Sequence, residues 1–457
     1  MWWGLSAMNK KMAAAMLGLG LLSGAARAES LKDVLGRAYA NNAEIAAQRY
    51  SQRAIDEQLP QALSGWRPTA TLTGDVTRGR QYFNFGGSAV SMLTNKTAAV
   101  TIAQPLYRGG AVDADIDRAK AVIAGGQSQL ASVEQTQLLA AATAYLDVYR
   151  DRNVVELNRN LVEVLTVNRG NVDSTFRVGA ATETDTSQAA ARLSGAIAGR
   201  LGAESQLATS LANFRNFVGD EAGQLDMPVV LGEVPGTEDQ AADTAIAESP
   251  ALRSAHQQLE AAKHQVDVVR GQLLPKLDGV IQAEHEDELF AKGVRLNSAT
   301  VGLAATVPLY EGGAAYAQVR AAREAVASAE KQLLQTERQV RQQVTTAWAA
   351  LVAARAQRQN FQDQIKANEV ALRDTEKEVT AGTRTRLDTL NAQQELFGSK
   401  VNLVSAERDI FAASFQLETA IGRFTPGALG LDVPDYDPSR HLDAVKDKWF
   451  GTTPPAD

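Results

Sequence analysis

The sequence contains no cysteine, which removes disulfides, thiolate metal sites and a lipid-modified N-terminal cysteine together. Only four histidines are present, His256, His264, His285 and His441. His256 and His264 stand eight apart on one predicted helix, a spacing that matches no zinc motif. His285 lies in Glu284-His285-Glu286-Asp287-Glu288, assigned to a hairpin loop as a solvated tip, so no metal or cofactor is expected. Gly-x-Ser-x-Gly, P-loop and dinucleotide fingerprints are also missing, and the paired carboxylates lie on helix faces beside lysine and arginine, where they solvate. Nothing in the chain points to an enzyme. Beyond residue 28 no apolar run is long enough for a transmembrane helix, and the mean hydropathy is −0.20. That leaves a β-barrel as the one way for such a chain to span a bilayer.

At the N-terminus, Lys10 and Lys11 precede an apolar stretch from Met12 to Leu22, followed by the small-residue site Ala26-Arg27-Ala28. This predicts a secretory signal, residues 1–28, cut before Glu29. The stretch is shorter than the roughly 18 to 20 residues that a membrane anchor needs. Loss of its three basic residues takes the net charge from −7 to −10. An acidic exported protein is a poor nucleic-acid binder.

Much of the chain is present twice. Pro105-Leu106-Tyr107-Arg108-Gly109-Gly110 recurs 203 residues later as Pro308-Leu309-Tyr310-Glu311-Gly312-Gly313, and Gly179, Thr182 and Asp185 recur as Gly382, Thr385 and Asp388. Upstream the offset becomes 207, pairing Ile45 with Leu252 and Pro68 with Pro275. The expected division is a first repeat over 29–224, a linker over 225–240, a second repeat over 241–424 and a tail over 425–457. Each repeat is read as helix, β-hairpin (68–105 or 275–308), long helix, tip turn (178–185 or 381–388) and return helix.

After each Gly-Gly pair, apolar residues recur in sevens: Ile116, Ile123 and Leu130, then Val319, Val326, Leu333 and Val340. The first proline-free run, 109–177, would be about 100 Å long as a helix. Ahead of it come alternating segments. Ala299, Val301, Leu303, Ala305 and Val307 alternate with Ser298, Thr300, Gly302, Ala304 and Thr306; Ala70, Leu72 and Val76 alternate with threonines and Asp75. Such strands suit a half-buried soluble sheet as well as a wall between lipid and water. An exported chain with no other large β region favours the membrane. Four strands cannot close a barrel, so the chain must oligomerise; two copies or three satisfy closure. Tyr82, Phe83 and Phe85 fall in the first hairpin loop, as members of an outer aromatic girdle.

At the tips, Gly179 and Gly382 occupy the position where a helix ends with positive φ, and Thr182 and Thr385 stand as N-caps three residues before Asp185 and Asp388. Capping accounts for both aspartates. It is compatible with a second role, since in a trimer they would set six carboxylates near the closed end of a hollow cylinder and favour cations.

These residues resemble the TolC-type outer-membrane channel family over nearly the whole mature length. The most specific stretch runs from Ala381-Gly382-Thr383-Arg384-Thr385 through Leu387-Asp388-Thr389-Leu390-Asn391-Ala392 to Arg408. The resemblance implies a mixed α and membrane-β fold: a trimeric twelve-stranded outer-membrane barrel, four strands per chain, continued by a long periplasmic coiled-coil barrel. It also implies a homotrimer in outer-membrane lipid that works with a periplasmic adaptor (membrane fusion) protein and an inner-membrane ABC or proton-driven transporter. That transporter supplies the energy, and the entrance opens on recruitment. By the same implication, adaptor contact falls on Val178, Gly179, Thr182, Gly382, Thr383 and Thr385. The periplasmic gate and selectivity fall on Asp388, Asn391 and Arg384, with Asp185 and Gln188 in the first copy.

Two positions depart from the family pattern. A second ring aspartate is Asn391 here, and an aromatic partner of the closing bonds is Val379. Pro60-Gln61-Ala62-Leu63-Ser64-Gly65-Trp66-Arg67-Pro68 and Asp447-Lys448-Trp449-Phe450-Gly451 look like the subgroup paired with type I protein secretion, which tilts the reading toward secretion over drug efflux. The rest of the tail, with five prolines from residue 425, reads as a loosely ordered surface strap. The competing readings are a periplasmic adaptor and a soluble coiled-coil scaffold.

Overall fold

The structure is a computed structural model that describes residues 29–84, 88–229, 235–289, 291–434 and 436–455. The predicted leader, Phe85 and residues 230–234 of the expected linker lie outside them.

Asn42 sets the first helix boundary, its side chain accepting from the amides of Glu44 and Ile45 at 2.9 and 3.1 Å and separating α1 (Leu31–Asn41) from α2 (Ala43–Asp56). The chain continues through α3 (Gln58–Leu63), β1 (Thr69–Asn84), β2 (Ser88–Tyr107), α4 (Ala111–Arg177) and α5 (Glu183–Val218). The second copy runs through α6 (Glu238–Glu248), α7 (Pro250–Gly271), β3 (Lys276–Asp287), β4 (Arg295–Thr306), α8 (Ala314–Thr380) and α9 (Arg386–Ala420), with a short α10 (Ser439–Val445) after it. Each Gly-Gly pair adopts positive φ, 64° and 75° at Gly109 and Gly110 and 65° and 85° at Gly312 and Gly313, and so turns strand into helix. With no proline to interrupt them, α4 and α8 each run for 67 residues, about 100 Å at ~1.5 Å per residue. Among the described residues no helix is long and apolar enough to cross a membrane.

The chain divides into two compact units, each drawing on both copies. Of the described residues, one comprises 29–38, 141–229 and 361–411. Leu35, Tyr145, Leu146, Phe214 and Val218 are buried in it. The Tyr145 hydroxyl lies 3.0 Å from the Glu29 carbonyl and 2.8 Å from that of Asp226, and burial pushes its phenol pKa up. Arg408 on α9 reaches Asp147 on α4 at 2.9 Å. The neighbouring Asp151 is buried, bound by Arg150 at 2.7 Å and by the Ser210 hydroxyl, so its charge is paired where an unpaired one would be costly.

The other unit comprises the described residues within 39–140, 235–360 and 412–455 and contains the sheet. The four strands are antiparallel in the order β1-β2-β3-β4. They are 16, 20, 12 and 12 residues long, longer than the alternating segments of the sequence. The extra length corrects two loop assignments: Tyr82 and Phe83 lie within β1, and Glu284 to Asp287, with His285 among them, lie within β3.

The tail is also better fixed than the sequence suggests. Val445 of α10 is fully buried, His441 Nδ1 lies 3.3 Å from buried Asp56 of α2, and the Arg67 guanidinium donates to the Lys448 carbonyl at 2.9 Å while stacking on Trp449 at 4.9 Å. Arg49 sits between the rings of Tyr39 and Tyr436, 4.6 and 4.5 Å from their centroids. Burial first and Glu134 second push the Tyr39 phenol up to about 12.

Candidate functional site

Residues opposite one another in an antiparallel sheet share a face, so the register decides what each face presents. On one face Ala70, Ile102, Ile281 and Val301 form a row across all four strands, with Leu72, Val100, Ala283 and Ala299 in the next. On the other, Thr71, Thr101, Gln282 and Thr300 align, followed by Thr73, Ala99, Glu284 and Ser298. The apolar face is open: Leu72, Val301 and Leu303 are 75, 81 and 71% exposed. Water disfavours such a surface and hydrocarbon does not. The two outer strands, β1 and β4, each keep one edge without a partner among the described residues, and a bilayer core cannot satisfy such edges.

In the helical unit both tips are closed by the same local chemistry. The Ala180 amide donates to the Thr175 carbonyl and the Gly179 amide to that of Phe176, both at 2.9 Å; Thr383 and Gly382 repeat this on Glu378 and Val379 at 2.9 and 3.1 Å. Positive φ, 78° at both glycines, permits the reversal. The return helices then start in capping boxes. Thr182 donates from its amide and hydroxyl to Asp185 Oδ2 at 2.8 and 2.7 Å, and Thr385 does so to Asp388 Oδ2 at 2.9 and 2.7 Å. The turns are therefore shorter than expected, because Asp185 and Asp388 already belong to the first helical turns. The hydrogen bonds from Thr182 and Thr385 hold both carboxyls below their ordinary range. Val178, Thr182, Thr383 and Thr385 are exposed, and Gln188 is half-buried one turn after Asp185.

Arg384, which the resemblance assigns to the gate, pairs within its own hairpin, Nε to Glu378 Oε2 at 2.7 Å. Asn391 instead accepts from Nη2 of Arg192 on α5 at 2.9 Å. The two return helices also share an apolar seam, Leu390 packing with Leu165, Leu193 and Ala196. Arg192 was not among the residues singled out from sequence. The repeat held a signal for it, since its counterpart 203 residues on is Glu395, a reversal of charge.

The model of the outer membrane efflux protein family matches residues 34–220 and 241–423. The outer membrane efflux protein BepC of Brucella suis is 32% identical over 98% of both chains. The proteases secretion protein PrtF of Dickeya chrysanthemi is 23% identical, over 92% of this chain and 93% of its own. The crystal structure of the outer membrane protein VceC of Vibrio cholerae superposes with a TM-score of 0.75 at 17% identity, covering 86% of this chain and 96% of that one.

Proposed function

Since the chain belongs to the outer membrane efflux protein family, we propose that it is the exit duct of a tripartite export system, with three copies closing a twelve-stranded barrel. As an outer-membrane channel protein it is not an enzyme. The observation that carries the duct reading is the sheet: an exposed apolar face, a hydroxyl- and carboxamide-lined opposite face, and two open edges that only further strands can satisfy. The helical tips are the entrance. Asp388, Asn391 and Arg384, with Asp185 and Gln188 of the first copy, form its gate, while Val178, Gly179, Thr182, Gly382, Thr383 and Thr385 meet the periplasmic adaptor. Energy comes from the inner-membrane transporter.

Protein secretion is the favoured cargo route. The two segments that resemble the type I subgroup are packed on each other, Arg67 of the first holding Lys448 and Trp449 of the second. Drug efflux is the second reading, favoured by the relative named as an efflux protein at 32% identity. Photo-crosslinkers placed at Thr182 or Thr385 in intact cells test both. Capture of an ABC-type assembly supports secretion, capture of a proton-driven pump supports efflux, and capture of no adaptor at all removes the docking assignment.

A further inference from the structure

The register that sorts apolar from polar side chains also sorts charge. Asp75, Glu284 and Glu286 fall on the polar inner face. Arg78, Arg80 and Lys96 fall on the apolar outer face, toward the hairpin ends and away from the helices. The three cations are exposed, and among the described residues none has a hydrogen-bond or ion-pair partner. Two acids lie near them: Asp287, opposite both Lys96 and Arg295, pairs with Arg295 at 3.5 Å, and Glu288 accepts from the backbone amide of Thr94, opposite Arg78, at 2.9 Å.

We propose that Arg78, Arg80 and Lys96 form a binding site for the phosphorylated headgroups of outer-leaflet lipid. Their depth supports this. From Ala305 to Arg295 on the same face of β4 is roughly 34 Å along the strand, or about 26 Å along the membrane normal at a ~40° tilt, close to the roughly 25 Å apolar band of outer-membrane barrels. Val76, Lys96, Asp287 and Arg295 share one row, so Lys96 stands at the edge of hydrocarbon. Arg78 and Arg80 follow at steps of about 5 Å, within the headgroup layer. Phosphate groups at that depth meet three unneutralised cations there, two of them guanidinium forks suited to bidentate contact. The inner face at the same level is acidic and repels the same groups, so the basic patch is confined to the lipid side. This site depends on outer-membrane placement and on the register, and not on what the channel exports.

The test uses the purified, delipidated full-length assembly in detergent, titrated with bisphosphorylated lipid A, with dephosphorylated lipid A and with inorganic phosphate, and read by native mass spectrometry. Bisphosphorylated lipid A is expected to bind. Arg78→Gln, Arg80→Gln and Lys96→Gln should each weaken it about fivefold, and the triple variant about a hundredfold, at ~1 kcal/mol per surface cation. Arg78→Lys with Arg80→Lys should keep binding within about fivefold of the parent, and Glu284→Gln with Glu286→Gln should leave it unchanged. The spectra report the assembly's mass as well, so loss of lipid is separable from loss of fold; if the triple variant does not assemble, the single variants decide. Equal binding of dephosphorylated lipid A, or unchanged affinity in the glutamine variants, overturns the proposal. So does displacement of the lipid by inorganic phosphate at similar concentration, which would mark a small-anion site.

Discussion

Arg192 on α5 donates to Asn391 on α9 at 2.9 Å, so a first-copy cation is bound to the residue that replaces the second aspartate of the resembled pattern. In the proposed gate of three copies, three arginines then sit beside the Asp388 ring and offset its charge. The bond joins the two return helices at residues adjacent in sequence to Leu193 and Leu390 of their apolar seam.

The first prediction concerns selectivity. In planar bilayers under a salt gradient, Asp388→Asn should lower the cation/anion permeability ratio and Arg192→Gln should raise it, each by about two- to fivefold from the change in ring charge at the constriction. Arg192→Lys should keep the parent ratio. An unchanged ratio in Asp388→Asn would remove the acidic ring, and an unchanged ratio in Arg192→Gln alone would place Arg192 outside the passage.

Acid should not open the tips in the mildly acidic range. The pKa values of Asp185 and Asp388 are lowered from an ordinary value of 3.8 by the threonine hydrogen bonds. A carboxylate with a depressed folded-state pKa contributes stability that is present above its unfolded value and lost as pH falls through the folded one. Both capping boxes should therefore stay intact from pH 7 down to 5. Amide hydrogen exchange at the first turns of α5 and α9 checks this: protection constant over that range, and lost at any pH in Thr182→Ala or Thr385→Ala, is the expected result.

These tips were legible in the sequence because their chemistry is local: a glycine, a threonine and an aspartate within seven residues specify reversal and cap. The sheet was legible only where it meets lipid. Apolar alternation stops near Asp75 and Lys96, where the apolar rows of the outer face end, yet backbone pairing continues to Asn84 and Ser88. That is why Tyr82 was read as a loop residue; His285, level with Gly74 and Ala98, was read so because it sits in the charged run Glu284 to Glu288. Arg192 and the tail escaped for a different reason. Their partners, Asn391 for one and Asp56 and Arg67 for the other, are 199 to 385 residues away, and no local pattern reports such neighbours.

His441 should anchor the tail in a pH-dependent way. Burial raises the pKa of Asp56, and the hydrogen bonds from Gln52 and His441 oppose that rise. A carboxyl with a raised folded-state pKa destabilises the fold as pH climbs through that value, because the buried group must then carry charge. In His441→Leu one of its two donors is gone, so the penalty should grow with pH, reaching about 1–3 kcal/mol once Asp56 is ionised. Hydrogen exchange across α10 should be nearly unchanged from the parent at pH 4 and clearly faster at pH 8. Equal acceleration at both values would mean that His441 acts by packing alone.

The repeat also predicts how neighbouring copies join. Within the chain β2 pairs with β3 so that Ile102 faces Ile281. The offsets of 203 and 207 carry Ile102 to Ala305 and Ile281 to Gly74, which makes β4 of one copy pair with β1 of the next. All of β4, Arg295 to Thr306, then falls opposite Thr73 to Asn84, inside the 16 residues of β1. The faces agree as well. Leu303 meets Val76 on the apolar side and Thr306 meets Thr73 on the polar side, whereas a slip of one residue would turn hydroxyls toward lipid. Because the chain has no cysteine of its own, the register can be read directly. Leu303→Cys with Val76→Cys should form a disulfide-linked ladder up to trimer in the outer membrane, and Leu303→Cys with Arg78→Cys or Gly74→Cys, two residues off, should link far less. A maximum at either shifted pair would show that the junction between copies does not follow the junction within them.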